Sequence, residues 1–106
     1  MTEFDPERFE DKYVHYMTEL QEAYKRAFDV MNEEYDSTLV HAIDQQILNE
    51  SEPFYRDGEF RIELPPNPHD RVHGVVVEPD RLDAVLDRYV EELRAQLRRV
   101  FGLEER

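Results

Sequence analysis

Four histidines and 26 carboxylates are the side chains of this 106-residue chain with the chemistry to bind a metal or move a proton. His15 has Asp11 four positions before it and Glu19 four after it, the helical spacing at which imidazole and carboxylate can share one cation. The same phase sets His15 on an acidic, solvated face, and a hydrated surface histidine is the plainer reading. His41 and Asp44 lie one turn apart near Leu48, as a buried polar pair or half of a metal site. His69, Asp70 and His73 surround a proline-rich loop, so ligands could come from the loop and from the segment that follows. Zinc requires three or four ligands, and no second cluster completes either group. The metal candidates are therefore His41, Asp44, His69 and His73, and a turn with exposed imidazoles is the alternative.

Catalytic chemistry has less to stand on. The chain has no cysteine, which excludes disulfides, thiolate zinc sites and thiol catalysis. It contains no G-x-S-x-G, P-loop, dinucleotide fingerprint or H-E-x-x-H. Ser37 and Ser51 have no histidine and aspartate arranged beside them in sequence. With so many carboxylates, some pair will always resemble a general acid and base, and a solvated face accounts for them. Asn49-Glu50-Ser51 matches the glycosylation acceptor pattern, but no secretory leader is expected to bring it to the modifying enzymes. No catalytic residue and no cofactor is expected.

Tyrosines carry a different signal. Tyr13, Tyr16, Tyr24 and Tyr89 fall on apolar stripes, where a ring can be buried while its hydroxyl reaches a partner. Tyr13, Leu20 and Ala27, with Tyr16, Ala23 and Val30, fit a heptad-like seam. Leu86, Leu93 and Val100, with Leu82 and Tyr89, form a second seam, interrupted by Gln96. Small Ala23 and Ala27 would admit a close neighbouring helix. Packing of the two seams within one chain is the simplest account; a subunit interface, where tyrosine is enriched, is the other. The residues expected to serve interaction are Tyr13, Tyr16, Leu20, Ala23, Ala27, Val75, Val77 and Tyr89.

The elements that position these residues can be read in order. Asp5-Pro6-Glu7 is a helix start, and apolar residues from Phe9 to Val30 recur at steps of three and four. A helix from Pro6 to about Asn32 would be roughly 40 Å long, against a radius of gyration of about 13 Å for a domain of this size. Such a helix must overhang, bend, or be covered by a second copy. Asp36 or Ser37 caps a second helix ending near Asn49, with Leu39, Val40, Ile43 and Ile47 on one side and Leu48 on the other with His41 and Asp44. Asp57-Gly58 is a two-residue hairpin signal joining Phe54–Arg56 to Glu59–Leu64, where Phe60, Ile62 and Leu64 alternate with charged residues. Pro65, Pro66 and Pro68 stop that strand. Val72–Val77 reads as a further strand, apolar on both faces, with Gly74 marking a close backbone approach. Pro79 opens a last helix that Gly102 ends. The expectation is one α+β domain over residues 1–106: a long N-terminal helix, a second helix, a small antiparallel meander of two or three strands, and a long C-terminal helix.

Charge bounds the partners. The formal net charge is −13, and the 13 basic residues are eleven Arg with only Lys12 and Lys25. Dense carboxylates hold water and repel one another, and concentrated salt relieves that repulsion because the Debye length falls to about 3 Å at 1 M. An acidic, Lys-poor chain suits a cytoplasm of molar salt. The same charge disfavours nucleic-acid phosphates and anionic lipid as partners. The acidic N-terminus lacks the apolar core of a secretory signal and no apolar run is long enough to span a bilayer, so a soluble cytoplasmic protein is expected.

Three stretches, DKYVHYMTELQEAYKRAF, VHAIDQQILNESEPFY and VLDRYVEEL, resemble a family of short acidic haloarchaeal proteins catalogued as a domain of unknown function. The likeness spans nearly the whole chain. It implies a halophilic archaeal source and brings no catalytic or binding residues with it. The resulting reading is a non-enzymatic protein-interaction module, partnered by another protein or by itself as a homodimer. The competing class is a small enzyme or ligand-binding protein with a carboxylate/His site, metal-dependent, around His41, His69 and His73. Nucleic-acid binding through the arginines of the last helix stands third.

Overall fold

A computed structural model describes residues 4–103, so the ends of the domain expected over 1–106 fall outside the described residues. The first helical stretch is broken. Asp5 Oδ1 accepts the Glu7 N–H at 3.0 Å and starts a 3-10 turn, Arg8–Asp11, followed by the short helix α1 (Lys12–His15). Tyr16 then leaves helical geometry at φ −129°, ψ 21°, and α2 (Met17–Glu34) begins anew. The single helix expected from Pro6 to about Asn32 is thus corrected to three pieces. The cause lies at Tyr16, whose buried ring comes within 4.9 Å of Phe101 and 5.9 Å of Phe4, centre to centre, while its hydroxyl accepts the Asp5 N–H at 3.0 Å. Aromatic pairs contribute about 0.5–1.5 kcal/mol each beyond area burial, enough to offset one missing helical hydrogen bond of about 1 kcal/mol.

Helix α3 (Ser37–Gln46) starts where Asp36 Oδ2 accepts the Leu39 N–H at 3.0 Å, an N-cap interaction. It ends at Gln46, short of the expected Asn49, and passes into a 3-10 turn, Leu48–Glu50. That tightening swings Leu48 into the core, where the sequence had placed it on the outer side with His41 and Asp44.

Strands β1 (Glu52–Arg56) and β2 (Glu59–Glu63) pair antiparallel, with Arg56 opposite Glu59 and Pro53 opposite Ile62. Asp57 at φ 54° and Gly58 at φ 77° supply the two left-handed residues of a type I′ turn. Phe60 is buried while Glu59, Arg61 and Glu63 face water, as the alternation predicts. Both edges are blunted. Pro53 has no N–H to offer, and Arg94 Nε donates to the Phe60 carbonyl at 2.7 Å.

The strand expected at Val72–Val77 is not present, whereas Phe54–Arg56, whose pairing decided between two strands and three, does pair with β2. After a single turn, α4 (Pro68–Arg71), these residues form neither strand nor helix. Val75 and Val77 are half-buried and Val76 is fully exposed, an alternation of period two with no strand beside it. β-branched residues favour extended backbone, but a strand needs a neighbour, and α5 stands at the edge of β2. Gln46 instead receives the His73 N–H at 2.7 Å and donates to its carbonyl at 3.1 Å. The close approach expected at Gly74 is also absent, since nothing lies within 4 Å of where a Cβ would stand.

Helix α5 (Pro79–Val100) has Pro79 and Asp80 in its first turn and Arg98 and Arg99 in its last. Gly102, at φ 72°, closes it with bonds from Gly102 N–H to the Arg99 carbonyl at 3.2 Å and from Leu103 N–H to the Arg98 carbonyl at 2.7 Å. The principal packing is α2 against α5. Ala23 and Ala27 are fully buried in the core that α2 and α5 share. Tyr16, Leu20, Ala23, Ala27 and Tyr89, named above for interaction, are therefore core residues of this chain. The seam is filled from within.

Candidate functional site: a tyrosine-lined cleft

Two walls meet beside the start of α2. One is a single helical face, Met17, Leu20, Gln21 and Tyr24, at the i, i+3, i+4, i+7 spacing that faces one direction. Tyr13 of α1 extends it across the break at Tyr16. The other wall is Asp44 of α3, then Leu48, Asn49, Ser51 and Pro53, brought round by the 3-10 turn and the first residues of β1. Between them lies an open cleft of about 320 Å³, at the lower end of the range of small-ligand sites.

Its polar groups are defined by their partners. Ser51 Oγ donates to the Leu48 carbonyl at 2.6 Å, so at 3.1 Å it accepts from the Tyr24 hydroxyl. The serine proton is spoken for and no histidine lines the cleft, so Ser51 is not an activated nucleophile. Asp44 Oδ1 accepts from the Tyr89 hydroxyl at 3.4 Å, a long bond. Burial pushes the Tyr24 phenol up to about 12, with the Ser51 hydrogen bond opposing and Tyr13 and Glu52 adding to the rise. Tyr13 is raised by burial and by Glu52, and Tyr89 by burial and then by Asp44. Asp44 itself is raised by burial, against the Tyr89 hydrogen bond and His41. Every one of these shifts favours the neutral form. The tyrosines present hydroxyls as donors and acceptors, and Asp44 is the only carboxylate among the lining residues.

Next to the cleft stands a cage that the sequence reading missed. Lys12 is only 3% exposed. Its ammonium lies 2.8 Å from the Glu52 carboxylate and 4.7, 5.2 and 5.6 Å from the ring centres of Phe54, Tyr13 and Phe9. A signal was present: one of only two lysines sits three positions after Phe9 and four before Tyr16, on the apolar stripe.

The metal candidates are not brought together. His41 Nδ1 donates to the Ser37 carbonyl at 2.8 Å, and its ring stands edge-on to Phe28. Asp44 faces the cleft. His69 Nε2 meets Asp83 Oδ1 at 2.6 Å, tying α4 to α5, and His73 is held by its backbone to Gln46. Among the described residues no three histidines or carboxylates converge where a metal ion could be held.

Large exposed apolar side chains mark surfaces that water covers poorly. Among the described residues they are Tyr13, Val14, Met17 and Val76. Tyr13 and Met17 line the cleft, and Val14 follows Tyr13 in the chain. Val76 lines a hollow of about 270 Å³ together with Val75, Val77, Leu39, Arg81 and the acidic residues Asp36 and Glu78. The four exposed side chains fall in stretches of sequence without a carboxylate, Lys12–Thr18 and Arg71–Val77, in a chain where carboxylates outnumber bases 26 to 13. No helix among the described residues is long and apolar enough to cross a membrane.

The fold and this cleft define a small α+β protein whose helices frame a tyrosine-lined apolar opening. Residues 1–104 match the family described as Family of unknown function (DUF5783), and the chain belongs to that family. No curated protein and no solved structure matches the chain.

Proposed function

We propose that this protein is a non-enzymatic interaction module of a high-salt archaeal cytoplasm, binding another protein or a second copy of itself at the cleft mouth. One observation carries the reading: Tyr13 and Met17, which line the cleft, and Val14, next in the chain, are exposed in a stretch of sequence without a carboxylate, in a chain with net charge −13. A lone exposed apolar residue needs no explanation, whereas a cluster on so acidic a surface suits a contact that dehydrates it. The valine segment offers a second contact of the same kind. Molar salt supports this reading, because it screens the carboxylates of two approaching acidic surfaces.

The test is association in about 2 M KCl. Sedimentation across concentrations reports a homodimer, and affinity purification from the native cytoplasm reports a different partner. The Met17→Asp variant is expected to abolish whichever association the wild type shows, with its melting temperature little changed because Met17 is exposed. Association that survives both Met17→Asp and Val76→Asp sinks the proposal.

A further inference from the structure

The charge of the cleft is unbalanced. The cleft holds one carboxylate, Asp44, and no cation among its lining residues. Asp44 is half-buried, and among the described residues its side chain accepts the one long hydrogen bond from Tyr89. Exposed Gln21 and Asn49 also line the cleft, and the Tyr24 hydroxyl, having donated to Ser51, keeps a lone pair. Buried Leu20 and Leu48, with exposed Met17, make its apolar lining. An apolar lining that carries one carboxylate complements a cation on an apolar stem. The chain builds the same combination for itself next door, where the Lys12 stem is buried and its ammonium meets Glu52 and three rings, one of them Tyr13.

We infer that the cleft receives a basic side chain, arginine or lysine, from a partner protein, with its stem against Met17 and Leu20 and its charged head on Asp44. This rests on the interaction reading and adds to it what the partner must present. Arginine suits the cleft better, because its planar fork can bond both oxygens of the Asp44 carboxylate.

The probe is a short blocked peptide carrying a single arginine, compared with the same peptide carrying neutral citrulline. Each is titrated into the isotopically labelled full chain in about 2 M KCl and followed by amide chemical shifts. The arginine peptide is expected to shift Gln21, Tyr24 and Asn49 and to bind at least about tenfold more tightly than the citrulline peptide, as a charge-assisted pair requires. Asp44→Asn is expected to erase that preference while the protein stays folded. Equal binding of the two peptides, a preference that survives in Asp44→Asn, or no binding of either overturns the inference. The two readings fail separately. Loss of association in Met17→Asp without any arginine preference leaves the interaction module standing. An arginine preference with association untouched by Met17→Asp and Val76→Asp leaves a cation site without that module.

Discussion

The Lys12 ammonium sits 2.8 Å from a Glu52 carboxylate oxygen, joining α1 to the first residue of β1. The lysine is almost wholly buried and the glutamate is about half exposed. Glu52 therefore keeps part of its hydration while Lys12 has lost nearly all of its own. Removing either partner does not have the same cost. Glu52→Gln leaves a buried ammonium facing aromatic rings and an amide, and is expected to destabilise the fold by about 1–3 kcal/mol. Lys12→Met removes the charge with its stem volume kept and should cost less. Urea unfolding at constant high salt measures both, and equal losses would mean that the cage does not hold the charge.

Asp44 has the opposite stability sign from a paired surface carboxylate. Its folded-state pKa is raised, so the native chain binds that proton more tightly than the unfolded chain does. The stabilisation this gives is complete below the ordinary carboxylate value and disappears as pH rises through the raised one. At neutral pH the ionised group is a burden. Asp44→Asn is expected to hold or raise the melting temperature at pH 7, with less change near pH 4. A fall of several degrees at pH 7 would show that the charged form is favoured in the native protein.

Tyr24 fixes an alkaline limit. With its phenol moved from 10.0 to about 12, the native state holds the proton that the unfolded chain releases. The linked stability is intact below pH 10 and is lost as pH rises toward 12. Ultraviolet titration should show phenol groups that ionise only as the fold opens. Tyr24→Phe should remove one of these and cost about 1 kcal/mol at neutral pH through its bond to Ser51. Free ionisation of all tyrosines near pH 10 in the folded protein would refute this.

Salt gives a fourth expectation. With 26 acidic against 13 basic residues, dilution from about 2 M to 0.1 M KCl lengthens the Debye length and should lower the melting temperature. An unchanged value would remove the high-salt argument.

What the sequence revealed depended on whether the signal was local. The hairpin was legible at Asp57-Gly58, because two left-handed residues in a row admit few other turns. The last helix was legible from Pro79 to Gly102, because both caps and the stripe between them agree. The break at Tyr16 was hidden, since Phe9, Tyr13, Tyr16 and Leu20 keep helical spacing straight through it. Contacts from outside the stripe, the rings of Phe4 and of Phe101 at the far end of the chain and the Asp5 N–H, explain why the helix gives way there. Val72–Val77 misled for a related reason: three consecutive valines state a backbone preference and say nothing of a neighbouring strand. The cleft was half visible. Tyr13 and Tyr24 were marked as rings with a polar tip, and Asp44 was marked beside His41 for a metal. That Asp44 and Ser51 face Tyr24 across an opening depends on the 3-10 turn at Leu48–Glu50, which no local pattern announced.

The break at Tyr16 also ties the cleft to the rest of the molecule. The ring that turns inward there joins Phe4, Phe9, Phe60 and Phe101, so the hairpin and the end of α5 meet the first residues at one cluster. Tyr13, which lines the cleft, stands three positions earlier on the other side of that break. A partner of the kind proposed, by holding Tyr13, would be linked by mass action to closure of the cluster at the far end of α5.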